Sequence, residues 1–407
     1  MSNTLITTNK ITKFAVKEFL NSLQLAAKVD RQLDSQFQKI GATVNVRKPV
    51  MFTSTDGATL GAPSDIEEVS GSVTLDKRKK VHFAVTSQDL TLSIEDFNER
   101  YIKPAMIELA QQVEIAIAES YKQISNFVGT PGTAPSTFLE VGEAAKVLSK
   151  LGVPSGGWCA FYDEDASLAL ANGLKSVFPT SISTKAIEEA AIGRYSKFML
   201  YENQSLSIHT VGVATGTPLI NGSDQNVDYK TNGGEWEQNL STDGWTADTA
   251  GILKAGDVFT IAGVNSVNRR TRISTGSLQT FVVKEDVDSG SATGPATLKI
   301  SPPIITDGPY QTVTAAPLDN AAITVKTGAG GSEHKQNIAF HPDAITLVMA
   351  PLDMPTQGAQ ASRESFGNIS IRTVSQYAIG TDTTTYRFDI LFGVKSQLPD
   401  FAVRTTS

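Results

Sequence analysis

Between residues 97 and 124, apolar side chains return at Phe97, Tyr101, Met106, Leu109, Val113, Ile117, Tyr121 and Ile124, the spacing of one face of a long helix. Ser93 followed by Asp96 resembles a capping box, with aspartate in place of the usual glutamate. Pro104 has no amide hydrogen and suits a first helical turn, so the pattern predicts a kink or a restart there. Beyond it the stripe is unbroken to Asn126, about 35 Å of helix at 1.5 Å per residue. Typical helices have about 11–12 residues. A looser helical stripe precedes it at Phe14, Phe19, Leu20, Leu23, Ala27 and Leu33.

Residues 43–92 carry a different period. Val44 and Val46, then Val81, Phe83 and Val85, alternate with polar neighbours and predict two strands around a long polar segment. The charges of this ribbon separate, with Asp65, Glu67 and Glu68 on one limb and Lys77, Arg78, Lys79 and Lys80 on the other. An isolated two-stranded ribbon is marginal in water, so something must cover it, and a neighbouring subunit is the natural candidate. After the long helix the pattern becomes α/β. A helix ends at Gly152-Val153-Pro154, the strand WCAFY follows, and a helix capped near Asp163 comes next. The stretch STKAIEEAAIGRYSKFMLYENQSLSIHTVG then gives a further short helix, an Ile-Gly turn, a strand around Phe198–Tyr201 and a loop leading to His209. Residues 221–335 break this rhythm. They are rich in Gly, Asp, Asn, Ser and Thr and suggest short strands at DVFTIAGV, TFVVKE, ATLKISP and AAITVKT, the pattern of a small barrel or sandwich.

The chain has 407 residues, more than a single core usually holds, and 40% of them are hydrophobic. No apolar run reaches the ~20 residues of a membrane span, and the N-terminus lacks a signal-peptide pattern. The net charge of −7 argues against capture of nucleic acid as the main activity. Residues 9–39 are mildly basic, whereas in residues 221–335 acidic side chains outnumber basic ones. The single cysteine, Cys159, excludes an intrachain disulfide and lies in an apolar strand, where a buried inert thiol is expected. None of His82, His209, His334 and His341 is paired with another at metal-ligand spacing. Asp163, Glu164 and Asp165 read as helix capping rather than a paired acid and base. Gly328-Ala-Gly-Gly331 has no following Lys-Ser/Thr and so is no phosphate loop. No catalytic, cofactor or metal site is expected.

The order of these elements resembles a known family. A helical arm, a charged ribbon and a long helix containing Leu109-Ala110-Gln111-Gln112-Val113-Glu114 are followed by helix, Gly-Val-Pro, strand and the Asp163-x-x-Ala166 turn. Leu253-Lys-Ala-Gly-Asp257, Ile261-Ala-Gly-Val264 and the return at Ile338-Ala-Phe-His-Pro-Asp-Ala-Ile345 resemble the insertion and return of the P22-type coat proteins of tailed double-stranded DNA bacteriophages. The resemblance implies an α+β, HK97-like capsid fold with an inserted all-β barrel-like domain. Its parts would be an N-terminal arm (1–42), an extended ribbon (43–92), a spine helix and P-domain (93–155), and the first part of an A-domain (156–220). The inserted β domain (221–335) and a return to the core (336–407) would complete it.

The same resemblance implies a major capsid protein that self-assembles as pentamers and hexamers into an icosahedral procapsid. It also implies a separate scaffolding protein, because the chain starts directly at the arm, together with a portal and packaged double-stranded DNA contacted non-specifically. Assembly in the host bacterial cytoplasm, incorporation into the virion, no membrane partner and no covalent crosslink between subunits complete the expectation. Inter-subunit contacts are expected at Asp65, Glu67, Glu68, Lys77, Arg78, Lys79 and Lys80 of the ribbon. By carry-over of the insertion loop that reaches a neighbour, they are also expected at Asp224, Asp228 and Lys230. The alternatives are an encapsulin-like bacterial compartment shell protein, and a hydrolase or carbohydrate-binding protein with an appended β domain.

Overall fold

The computed structural model describes residues 8–31, 43–52, 66, 68–86, 97–174, 193–355, 359–366 and 368–407. The Ser93–Asp96 cap, Asp65, Glu67 and the short helix expected near residue 188 lie outside the described residues. The chain divides into two compact units, one made of residues 1–44, 73–117 and 346–395, the other of 45–72, 118–345 and 396–407.

In the first unit the stripe at 97–117 forms a helix in two gauges. Asn98–Ile102 is a π turn and Lys103–Ala118 is α-helical. Pro104 cannot donate to the carbonyl four residues back, and the wider turn just before it, in which the Lys103 amide bonds the Asn98 carbonyl, absorbs that loss. Phe97, Met106, Leu109, Ala110, Val113 and Ile117 are buried, as their spacing requires. Against the helix stands a sheet in which Thr383–Ser396 is central. Ile369–Ala378 pairs with it antiparallel, Gln360–Phe366 extends that side, and Ile345–Met349 joins the far end. Phe83, Phe97, Tyr101, Tyr386 and Phe388 form one aromatic cluster between helix and sheet, with ring centroids 5.4–6.3 Å apart.

The N-terminal helix, Thr8–Ser22, buries Ile11, Ala15, Val16 and Phe19. Its chain then turns over Glu114, whose carboxylate accepts hydrogen bonds from the amides of Gln24 (3.2 Å), Leu25 (2.8 Å) and Ala26 (2.9 Å). Glu114 is a buried acid inside an apolar stripe, held by three donors. Replacing Glu114 with alanine is expected to destabilise this unit by about 3 kcal/mol, since the amides are left without an acceptor. A urea midpoint equal to that of the unmodified protein would show that water takes over the role.

The second unit contains a mixed sheet in the order Phe127–Val128, Ala402–Thr406, Glu333–Phe340, Cys159–Tyr162, Phe198–Glu202, Arg194–Tyr195, with Ile208–Thr210 paired to Glu333–Phe340. The helices Phe138–Lys150 and Glu164–Leu174 pack on it through Val141, Ala144, Leu148, Ala166 and Leu170. Thr137 and Glu140 form a full capping box at the first of these helices. The inserted strands form a separate six-stranded sheet, in the order Ile323–Val325, Val258–Val267, Ser274–Val283, Ala296–Ser301, Gln238–Trp245, Gly216–Ile220. Its two outer strands meet through a Leu219–Ala322 bridge and the Ile220 amide bonded to the Ala321 carbonyl, so the sheet closes on itself. Closure removes the exposed edges that a small open sheet would present. The interior is filled by Phe259, Ile261, Phe281, Val283, Leu298, Ile300 and Val313.

Candidate assembly surfaces

The second limb of the ribbon divides. Ser70–Thr74 pairs with Thr43–Arg47, while Lys77–Thr86 leaves that partner and pairs with Thr383–Phe392 across ten positions. Strand alternation then separates the four consecutive cations. Lys77 and Lys79 share a face with Phe83, and Arg78 and Lys80 point to the other. On that second face a single rung crosses four strands, Lys80–Asp389–Arg372–Arg363, since each is the register partner of the next. Asp389 is fully buried and is ion-paired to Arg372, to Arg387 (2.7 Å) and to Arg78 (3.3 Å). Burial alone would raise its pKa, but hydrogen bonds and charge from Arg372 and Arg387 outweigh burial and hold the carboxyl below the ordinary carboxylate range. Arg363 and Arg372 are steadied by the carbonyls of Leu352 (3.1 Å) and Asp353 (2.6 Å).

The remaining expected contact residues are placed differently. Glu68 lies 3.7 Å from Arg47 on the paired limb of its own ribbon, with both side chains largely exposed, an arrangement worth about 0–1 kcal/mol. Asp224, Asp228 and Lys230 are all exposed. The loop bearing them is fixed from within by Gln225, whose side chain bonds the backbone at Asn221, Gly222 and Ser241. Tyr229, between Asp228 and Lys230, turns inward and stacks on Tyr310 with ring centroids 3.4 Å apart. Of the eight that lie among the described residues, Arg78 and Lys80 share one face of this sheet, Lys77 and Lys79 the other, and Glu68, Asp224, Asp228 and Lys230 lie elsewhere. The partners of Arg78 and Lys80, namely Arg363, Arg372, Arg387 and Asp389, carried no signal in sequence, because only the register of distant strands makes them neighbours.

One polar cluster has the makings of a catalytic arrangement. His209 Nε2 lies 2.9 Å from Asp257 and Nδ1 lies 3.1 Å from the Tyr121 hydroxyl. Asp257 also accepts from Thr327 Oγ1 (2.8 Å) and from the amides of Gly212 (2.9 Å) and Lys254 (2.7 Å). Burial opposes its charge, but the hydrogen bonds from His209, Lys254 and Gly212 prevail and keep its pKa low. Burial raises the Tyr121 hydroxyl to about 12 and lowers Arg404, which bonds the Gly256 carbonyl, to about 10. Tyr121, His209, Asp257 and Arg404 are each no more than 2% exposed, so no substrate reaches them. The cluster is a knot joining the end of the long helix, the inserted barrel and the last strand. Asp163 caps its helix by accepting from the Ala166 amide (3.2 Å), and Cys159 is buried. Among the described residues no group of His, Cys, Asp and Glu is arranged to hold a metal ion, although His209 and His334 are cross-strand partners.

The family model for the P22 coat protein, gene protein 5, matches residues 2–404. The chain belongs to the P22 coat protein family. This is a family of coat proteins rather than of enzymes, and the mixed helix-and-sheet build of both units agrees with the α+β fold expected for it. The major capsid protein of Acyrthosiphon pisum secondary endosymbiont phage 1 is 24% identical, with 94% of each chain covered. Among solved structures, a Mycobacterium phage Che8 chain aligns at a TM-score of 0.48 and 13% identity, covering 94% of this chain and 90% of that one. The CUS-3 coat protein I-domain is 29% identical over 28% of this chain and 98% of its own, at a TM-score of 0.19. The encapsulin-like alternative is not favoured by this membership.

Proposed function

We propose that this protein is the major capsid protein of a tailed double-stranded DNA phage. It assembles as pentamers and hexamers, with a separate scaffolding protein and around a portal, into an icosahedral procapsid in the host bacterial cytoplasm. The finished shell encloses the genome and touches the DNA without reading its sequence. The observation that carries this reading is the coat-protein match from residue 2 to residue 404, which makes the chain a capsid component of the virion. The segregated charges of the ribbon support it, because a subunit that occupies several non-identical environments needs many weak, repeated contacts. Asp65, Glu67, Glu68, Lys77, Lys79, Asp224, Asp228 and Lys230 remain contact candidates in this proposal, together with Arg78 and Lys80.

Electron microscopy of the protein expressed with its phage's scaffolding protein tests it. Closed icosahedral particles are expected. A uniform monomer under every condition, with or without the scaffolding protein, would sink the proposal.

A further inference from the structure

We infer that the sheet face bearing Lys80, Arg363, Arg372 and Arg387 is a docking surface for the acidic unit of a second copy of this chain. This inference rests on the coat-protein reading and names one contact within it. Five cations, Arg78, Lys80, Arg363, Arg372 and Arg387, lie on that face around the buried carboxylate of Asp389. Arg78, Lys80 and Arg363 are exposed, so the surplus charge meets solvent.

Asp389 is the organiser. It neutralises one charge and fixes two guanidiniums from below, so the face offers a preformed array that loses little freedom on binding. Strands about 4.8 Å apart spread the rung over about 14 Å, a flat surface rather than a pocket for one side chain.

The occupant follows from the distribution of charge. The unit containing the sheet has 16 basic and 14 acidic side chains, a net of +2, while the other unit has 19 basic and 28 acidic, a net of −9. Copies of such a chain attract when the cationic sheet of one meets the acidic unit of the next, and repel when like units meet. The strand Lys77–Thr86 pairs along Thr383–Phe392, and its alternating lysines guard it from pairing with a strand of another copy. That arrangement favours docking through side chains over sheet extension.

Carbodiimide, which joins an amine to a carboxylate in direct contact with loss of water, reads the contact in assembled shells. The expected product links Lys80 to an Asp or Glu of residues 45–72, 118–345 or 396–407 of another copy, identified by mass spectrometry after mixing isotope-labelled and unlabelled protein. The double variant Lys80→Glu with Arg363→Glu touches neither Glu114 nor the pairs on Asp389. It is expected to keep its melting curve and to lose shell yield about tenfold, the effect of ~1.4 kcal/mol. Shells that form normally in the variant, or Lys80 linked only within its own copy, overturn the inference and leave the coat reading standing. A variant that assembles normally but loses salt-dependent binding of a short DNA duplex assigns the face to nucleic acid and also overturns it. Absence of shells from the unmodified protein overturns both.

Discussion

Replacing Asp389 with alanine is expected to destabilise the sheet-bearing unit by about 3–5 kcal/mol, because three guanidiniums then face one another around an empty buried position. Arg372 and Arg387 are held on Asp389 from the same sheet, and Arg78 approaches it at 3.3 Å from the neighbouring strand. Whole domains are stable by only about 5–15 kcal/mol, so a loss of that size removes much of the margin. Thermal or urea melts measure it directly. A midpoint unchanged by the substitution would mean that the three arginines swing into solvent and that Asp389 organises nothing. An asparagine in its place keeps the shape and loses the charge, so Asp389→Asn is expected to cost less than Asp389→Ala. Replacing Asp389 and Arg372 together with leucines is expected to recover part of the loss, as apolar replacements of buried ion pairs often do.

The same carboxylate gives a pH dependence of defined sign. Its folded pKa lies below the usual carboxylate value of about 3.9, so its contribution is complete above that value and is lost as the pH falls through the folded one. Asp257 behaves alike. Stability measured from pH 5 down to pH 2 is therefore expected to fall more steeply in the unmodified protein than in Asp389→Asn. Parallel acid profiles for the two would contradict a depressed Asp389.

What the sequence made legible was local. The stripe at 97–124 needed only its own period, and the strands around Val258–Val267, Ser274–Val283, Ala296–Ser301 and Ile323–Val325 announced themselves by apolar runs between turns. Gly216–Ile220 and Gln238–Trp245 escaped because the first contains Gly216 and Pro218 and the second is dominated by polar residues. Both take strand geometry from pairing inside a closed barrel rather than from their own propensity. The π turn before Pro104 was foreseeable as a defect but not in kind. The ribbon's second limb was read as one strand because Ser70–Thr86 is extended throughout. Only the competing partner at Thr383–Phe392, about three hundred residues on, explains why it divides. The cationic rung was invisible for the same reason. Arg363, Arg372 and Asp389 look ordinary in sequence and become a site through register alone.

Asp257→Ala is the second substitution expected to have a large effect, again about 3–5 kcal/mol, and its effect should be local before it is global. Four donors converge on this buried carboxylate: the His209 ring, the Thr327 hydroxyl, and the Gly212 and Lys254 amides. Each donor left in an apolar surrounding costs about 1–3 kcal/mol, partly recovered by relaxation. The substitution also removes an anion that supports the charge of Arg404, which sits by Tyr121 and bonds the Gly256 carbonyl and the Gln336 side chain. Because Asp257 opens the first long strand of the barrel and His209 ends on the mixed sheet beside it, the bonds between them fasten the inserted barrel to the body of its own unit. Hydrogen exchange should therefore show the amides of Gly212, Lys254 and Gly256 losing protection, while those of Phe281 and Val283 inside the barrel keep theirs. Equal loss of protection throughout the barrel would mean that Asp257 supports the folding of the insertion itself and not its attachment.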